Sequence, residues 1–223
     1  MICRFCGHEC KKDGHQANGV QRYECKHCHK KQQAEYAYNA YAVDLNENII
    51  RYTKEELGIR SISRVLHISV STLLKRILLI AKRIARPTIP LGHIYEVDER
   101  QSFVRQKKNL IWIAYALDRD SKQVVSYNIG PRTNTTLSVV TDTLRYAQAR
   151  YIYTDRLRNY RSLIDKYVHR TTYYGTNHIE RHNLTVRTHL KRLSRKTICF
   201  SRSVTMLSAI LKIYFGDKTA GFI

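Results

Sequence analysis

Residues 94–118, IYEVDERQSFVRQKKNLIWIAYALD, decide the fold. They read as an apolar-alternating strand ending in a carboxylate, a short basic loop, and a strongly apolar strand of β-branched and aromatic residues. In the first strand Ile94, Glu96 and Asp98 fall on one face, and Tyr95, Val97 and Glu99 on the other. A carboxylate near the end of a strand apolar enough to be central in a sheet is costly to bury unless something positive meets it. Asp98 is therefore a candidate metal ligand.

Working outward, residues 122–129 (KQVVSYNI) predict a third strand, reached through the turn 119–121 and closed by Gly130 and Pro131. Residues 133–148 have helical length, with Leu137, Val140 (or Thr141) and Leu144 on one stripe. A short strand, 151–155, again ends in an acid, Asp155. A helix over 157–166, an edge strand over 167–174 and a long basic helix over 177–193 follow. The class this order predicts is a mixed α/β layer fold. Glu180 is the only acid between Asp165 and Asp217.

Three acids delivered by two strand ends and a helix suit a pair of divalent ions, Mg²⁺ or Mn²⁺, of the kind that stabilise phosphoryl transfer. On the last of these helices Asn177, Glu180, Leu184, Arg187 and Lys191 share a face by spacing, a glutamate followed by cations. The structural alternative makes Asp98 and Asp155 turn caps and Glu180 a surface acid.

The run 176–200, TNHIERHNLTVRTHLKRLSRKTICF, resembles the end of the catalytic domain in transposases of very small bacterial and archaeal insertion sequences. Those enzymes combine an N-terminal zinc finger, a helix-turn-helix and a short DDE domain. The resemblance continues in 95–104 (YEVDERQSFV), 112–118 (WIAYALD), 153–160 (YTDRLRNY) and 18–28 (NGVQRYECKHC), and so covers nearly the whole chain. It implies a ribonuclease H-like strand transferase with Asp98, Asp155 and Glu180 as catalytic, metal-holding acids. The 24 residues between Asp155 and Glu180 are similar to the family's short interval. The chain departs from the family's pattern at Leu157, where tryptophan is common, and at Arg4, where proline is frequent; neither is a proposed ligand.

Composition points the same way. The chain of 223 residues carries 39 lysines and arginines against 18 acids, a formal charge of +21 at pH 7. So large an excess suits a polyanion partner, whose counterions are released on binding. No apolar run approaches the roughly 20 residues of a spanning helix, and the first ten residues lack a signal-peptide core. The expectation is a cytoplasmic, nucleoid-associated protein with no membrane partner.

Cys3-x-x-Cys6 and Cys25-x-x-Cys28 are two knuckles of the kind that hold structural zinc through thiolates. A segment this short cannot bury enough apolar surface to fold without such a staple. Cys10 and the histidines His8, His15, His27 and His29 crowd the same region as substitute ligands, but only the four-cysteine set keeps both two-residue spacings. Cys199, before Phe200, reads as a buried small hydrophobe.

Between finger and catalytic part, a helix over 46–57, a short one over 61–66 and a longer one over 71–86 have the proportions of a helix-turn-helix. Ser61 and Ser69 or Ser71 are candidate N-caps. The second helix of such a unit presents its early residues to base edges, here Ser71, Thr72, Lys75 and Arg76. Ile62, Val65, Leu66, Leu73, Leu74, Ile77 and Leu78 would form the core. Arg22 in the finger and Asn177, Arg187, Lys191 and Arg192 near the third acid complete the candidate DNA-binding set.

The organisation expected is therefore a zinc finger (1–34), a helix-turn-helix (45–86), a catalytic domain (92–200) and a C-terminal helix and tail (201–223). In that helix Val204, Leu207, Ile210 (or Leu211) and Tyr214 line up to dock on the core or on a second subunit. The function expected is binding of terminal inverted repeats in double-stranded DNA, strand cleavage, and transfer into target DNA by a homo-oligomer. The competing class is a DNA-binding regulator or inactive relative; all three acids at the family's spacing weigh against it.

Overall fold

In the computed structural model, which describes residues 1–216 apart from 18, 35–37, 56, 86, 173 and 195–198, the first of the two quoted strands is the centre of a five-stranded sheet. The strands are β4 (Ile94–Phe103), β5 (Leu110–Asp118), β6 (Val124–Gly130), β7 (Tyr151–Thr154) and β8 (His169–Arg170), in the order β6-β5-β4-β7-β8. β4, β5 and β6 pair antiparallel, while β7 runs parallel to β4 and β8 parallel to β7. The mixed α/β class is thus as expected.

Both faces of the sheet are covered, because β5 alternates two kinds of apolar side chain. Ala114 and Ala116 point to the face bearing Tyr95 and Val97, where their small size admits α4 (Asn134–Tyr146) with Leu137, Val140 and Leu144. The one-turn helix α5 (Tyr160–Leu163) adds Tyr160 to this core. On the opposite face Ile113, Tyr115 and Leu117 meet α6 (Asn177–His189) through Ile179 and Val186, and α7 (Val204–Phe215) through Leu207 and Ile210. Each such side chain removed from water contributes about 1.5–3 kcal/mol.

α7 also packs on α3 (Val70–Arg83), and α1 (Leu45–Lys54) and α2 (Ile59–Val65) complete a helical trio. Ile49, Ile62, Leu73 and Ile77 belong to the same buried cluster as α7 and Ile113, so the trio and the sheet share one core. The C-terminal helix therefore docks on the core; residues 217–223 of the expected tail lie outside the described residues. No helix among the described residues is long and apolar enough to cross a membrane.

At the N-terminus β1 (Cys10–His15), β2 (Gln21–Cys25) and β3 (Lys31–Gln33) form a small antiparallel sheet in that order.

Several elements differ from their expected extents. β4 continues five residues past Asp98, which therefore stands mid-strand. The helix expected over 157–166 shrinks to α5 because the Leu157 amide is taken by Asp155 Oδ1 at 2.9 Å and the backbone turns extended at Ile164. The strand over 167–174 keeps only His169–Arg170. The long basic helix ends at His189, after which Arg100 donates to the carbonyl of Leu193 at 3.0 Å and a 3₁₀ turn, Lys191–Leu193, follows. Ser69, not Ser61, is an N-cap, accepting from the Thr72 amide at 3.1 Å, whereas α2 is entered from Gly58. Val65 and Leu78, expected in the core, are exposed, and Cys199 is exposed rather than buried.

Candidate metal centre and nucleic-acid surface

Pairing of β7 with β4 stops at Val97↔Thr154, so Asp98 and Asp155 emerge side by side where the parallel pair ends. Beyond that point β4 runs on without β7 as its neighbour. One carboxylate oxygen from each of Asp98, Glu99 and Asp155 lies within 4.8 Å of the others. Two like charges about 4 Å apart repel by roughly 4 kcal/mol even at an effective dielectric of about 20. The cluster thus favours a cation or a shared proton.

Each acid is held differently. Asp98 is half-buried; its Oδ1 accepts from the Glu99 amide at 2.8 Å and its Oδ2 from Asn183 Nδ2 of α6 at 2.6 Å. Tyr115 donates to Asn183 Oδ1 at 3.0 Å, fixing which end of the amide faces Asp98. Burial first, and then the neighbouring charges of Glu99 and Asp155, push the Asp98 carboxyl up to about 6 against these hydrogen bonds. The side chain of Glu99 is fully buried, with Arg132 2.9 Å from its Oε2, while its Oε1 makes no hydrogen bond of normal geometry among the described residues and the Tyr160 hydroxyl lies beside the carboxylate. Burial raises its titration as well. Asp155 is exposed.

Glu180 does not join this group. It lies exposed in the first turn of α6, and its Oε1 accepts from Thr176 Oγ1 at 2.8 Å. Of the residues expected to share its face, Leu184 is also exposed, while the helix buries Ile179 and Val186 and directs Asn183 to Asp98.

The sequence places Glu96 only on the face of Asp98, with no structural task, and gives Asn183 no role. Glu96 is fully buried on β4; its Oε1 receives His178 Nδ1 at 2.6 Å and Arg119 Nε at 3.0 Å, and its Oε2 receives the Ile179 amide at 2.9 Å. A strand carboxylate thus caps the N-terminus of α6 and fixes that helix against the acid cluster. The signal was present in the alternation, which put Glu96 on the face of Asp98, but its partners lie 82 and 83 residues away.

A second group, His93, Asp118 and Asp120, sits at the other end of β4. His93 Nδ1 is 3.1 Å from Asp118 Oδ1 and 3.4 Å from Asp120 Oδ2, while Asp118 Oδ2 accepts from the Ser121 amide and hydroxyl at 3.0 and 2.6 Å. Burial would raise the Asp118 carboxyl, but Ser121 and His93 outweigh it and hold it below the usual range. Both Asp118 oxygens are engaged in locking the β5–β6 turn.

From Asp98 and Glu99 a cleft of about 550 Å³ runs along β4 past Trp112 towards Lys107 and Arg187. Arg187 is half-buried there, with its Nε enclosed and without a partner among the described residues. Asn177 and Lys191 are exposed near the same helix. Arg192 is turned inward, donating to Ser201 Oγ at 3.1 Å, and burial lowers its titration.

On α3, Ser71 and Lys75 are exposed, but Thr72 and Arg76 are half-buried and already engaged. Thr72 Oγ1 contacts Ser69 Oγ at 2.8 Å and the Tyr38 hydroxyl at 3.0 Å, and Arg76 donates to the Ala40 carbonyl at 2.9 Å. In the finger, Arg22 donates to the Asp13 carbonyl at 3.1 Å.

Cys3, Cys6, Cys25 and Cys28 bring their sulfurs within 4.8 Å of one another, with Cys3–Cys28 at 3.6 Å and Cys6–Cys25 at 3.4 Å. The Phe5 amide points to Cys3 Sγ at 3.4 Å and that of His27 to Cys25 Sγ at 3.4 Å. The Cys28 amide, with that of His27, pulls the Cys25 thiol down to about 6 against burial. Four convergent sulfurs with amide donors suit a tetrahedral ion. Cys10 stands outside the four and accepts from Gln32 Nε2 at 3.5 Å.

Residues 93–220 match the family described as IS1 transposase. The InsB protein of insertion element iso-IS1n from Shigella dysenteriae is 39% identical over 118 residues, 53% of this chain and 90% of that protein. An IS1 InsB protein of Escherichia coli K12 is 36% identical over 123 residues, 55% of this chain and 74% of that protein. Among solved structures, a simian T-cell lymphotropic virus intasome in complex with PP2A regulatory subunit B56 gamma aligns with a TM-score of 0.39 and 15% identity, over 73% of this chain and 66% of that one.

Proposed function

The chain belongs to the IS1 transposase family, and from that membership we propose that it binds the terminal inverted repeats of its insertion sequence and catalyses metal-dependent cleavage and strand transfer. The observation that carries this reading is the placement of Asp98 and Asp155 side by side at the end of the β4–β7 pair, inside the segment that the family matches. The strand order β6-β5-β4-β7-β8, antiparallel on one side of β4 and parallel on the other, supports a ribonuclease H-like catalytic domain over 92–200. The remaining divisions proposed are a zinc finger over 1–34, a helix-turn-helix over 45–86 and a C-terminal helix and tail over 201–223.

Asp98, Asp155 and Glu180 are the catalytic acids in this reading, Glu180 standing one helical turn from Asn183, the residue that touches Asp98. Mg²⁺ or Mn²⁺ held by these carboxylates would neutralise the phosphate and stabilise the attacking and leaving oxygens. The protein's own share is positioning. Asn183 orients Asp98, Glu96 anchors α6, and Lys107 and Arg187 offer positive charge to the DNA backbone along the cleft. Water attacks the phosphodiester at the element end and frees a 3′ hydroxyl. That hydroxyl then attacks a target phosphodiester, forming a new bond and releasing a 3′ hydroxyl of the target strand.

Structural zinc at Cys3, Cys6, Cys25 and Cys28 supports the finger. Of the four α3 residues expected to meet double-stranded DNA, Ser71 and Lys75 are the exposed ones. Joining two element ends to one target calls for a homo-oligomer acting at the nucleoid.

The test is incubation of the full chain with labelled element-end duplex and plasmid target in Mg²⁺ or Mn²⁺. Labelled ends covalently joined to target, lost on chelation, are the expected result. DNA binding without joined product would favour a regulator or inactive relative, and a ladder of cuts without joining would favour a nuclease.

A further inference from the structure

In this structure the acid that stands with Asp98 and Asp155 is Glu99, while Glu180 lies outside the group. We infer that Glu99 is itself a ligand of the divalent-metal centre and that Arg132 is its counter-ion when metal is absent, an assignment that rests on the metal-site reading of Asp98 and Asp155.

Two observations carry it beyond a group of acids. The Glu99 side chain has no exposed surface, yet its Oε1 makes no hydrogen bond of normal geometry among the described residues, the Tyr160 hydroxyl beside Glu99 being equally unpaired. A buried carboxylate oxygen left in this state costs free energy that a cation would recover. The other oxygen is held by Arg132 at 2.9 Å, and the same guanidinium lies 4.4 Å from the centre of the Trp112 ring. Asp98 and Glu99 leave β4 on opposite faces, so only the end of the β7 pairing lets both reach Asp155. The cleft wall includes these two acids and Trp112.

Such an arrangement makes metal and Arg132 competitors for one carboxylate. When an ion enters, Glu99 turns from the guanidinium to the ion, and Arg132 becomes available to a phosphate oxygen. Trp112 is the single tryptophan of the chain and so reports the change directly.

The experiment is Mn²⁺ titration of the zinc-loaded full chain, with free Mn²⁺ read by electron paramagnetic resonance and Trp112 emission followed in parallel. Glu99→Gln is expected to weaken Mn²⁺ binding at least about tenfold, the lower end of the loss seen when even an outer-shell partner is removed. Arg132→Gln is expected to tighten it. Should Glu99→Gln leave Arg132 buried without a partner and fail to fold, the double variant Glu99→Gln/Arg132→Gln removes both charges and must still bind weakly. Wild-type Mn²⁺ affinity in Glu99→Gln or the double variant, beside lost binding in Asp98→Asn, would overturn the role of Glu99 alone. Wild-type affinity in Asp98→Asn and Asp155→Asn as well would overturn the metal site on which it rests.

Discussion

His182 shows how strongly this face of the sheet is dried out. Its Nδ1 lies 3.2 Å from the hydroxyl of buried Tyr115, and burial, with His189 nearby, pushes its titration down to about 4. An unfolded histidine takes up its proton near 6.5, so as pH falls from about 6.5 to about 4 the unfolded state binds more protons than the folded one. Stability contributed by neutral His182 is therefore full above 6.5 and lost on the way down to 4, a loss of the order of 3 kcal/mol. Urea unfolding of wild type and His182→Gln at pH 7 and pH 4.5 should show the wild type losing more stability over that interval, and parallel pH profiles would refute the assignment. Glu96 is the complementary case: an acid with no exposure, tolerated because Arg119, His178 and a helix amide all point at it.

At the level of elements, what could be read from the sequence was what is local. The two-residue periodicity of residues 94–99, the apolar run 110–117, the stripe through Leu137, Val140 and Leu144, and the paired Cys-x-x-Cys spacings each signal themselves within a few residues. Element ends and side-chain commitments depended on distant partners. α6 ends where it does beside a segment clamped by Arg100, and Arg76 turns from solvent to the Ala40 carbonyl. Neither pairing has a periodic signature. Thr72 is likewise drawn into the Ser69 cap and the Tyr38 hydroxyl. The N-terminal sheet depends on its sulfurs, since its strands are short and mostly half-exposed. Elemental analysis should give about one zinc per chain, and Cys25→Ser should lose both the zinc and protection of residues 1–34 from proteolysis. A zinc-free native protein with a protease-resistant finger would refute the ligand set.

For the whole molecule, the relevant fact is that the helical trio and the sheet are not separated by a break in packing. α7 lies between α3 and the sheet, and one buried cluster runs from Ile49 and Ile77 to Ile113 and Val186. A duplex held on the exposed side of α3 therefore has a fixed geometric relation to the acids of β4, β7 and α6. The charge of +21 supplies attraction without sequence preference, while the acids are the local negative exception that a cation must offset. This separates binding from catalysis. Asp98→Asn and Asp155→Asn keep side-chain shape and remove charge, so end binding should persist or tighten as repulsion from phosphate falls, whereas an amide is a poor ligand for Mg²⁺. The most direct measurement is strand transfer by these two variants on labelled element ends, run beside a gel-shift titration of the same preparations. Wild-type or tighter binding is expected, with joined product reduced by at least about a hundredfold, the scale on which loss of one preorganised electrostatic contact acts. Joined product at the wild-type level with unchanged metal dependence in either variant would contradict that expectation.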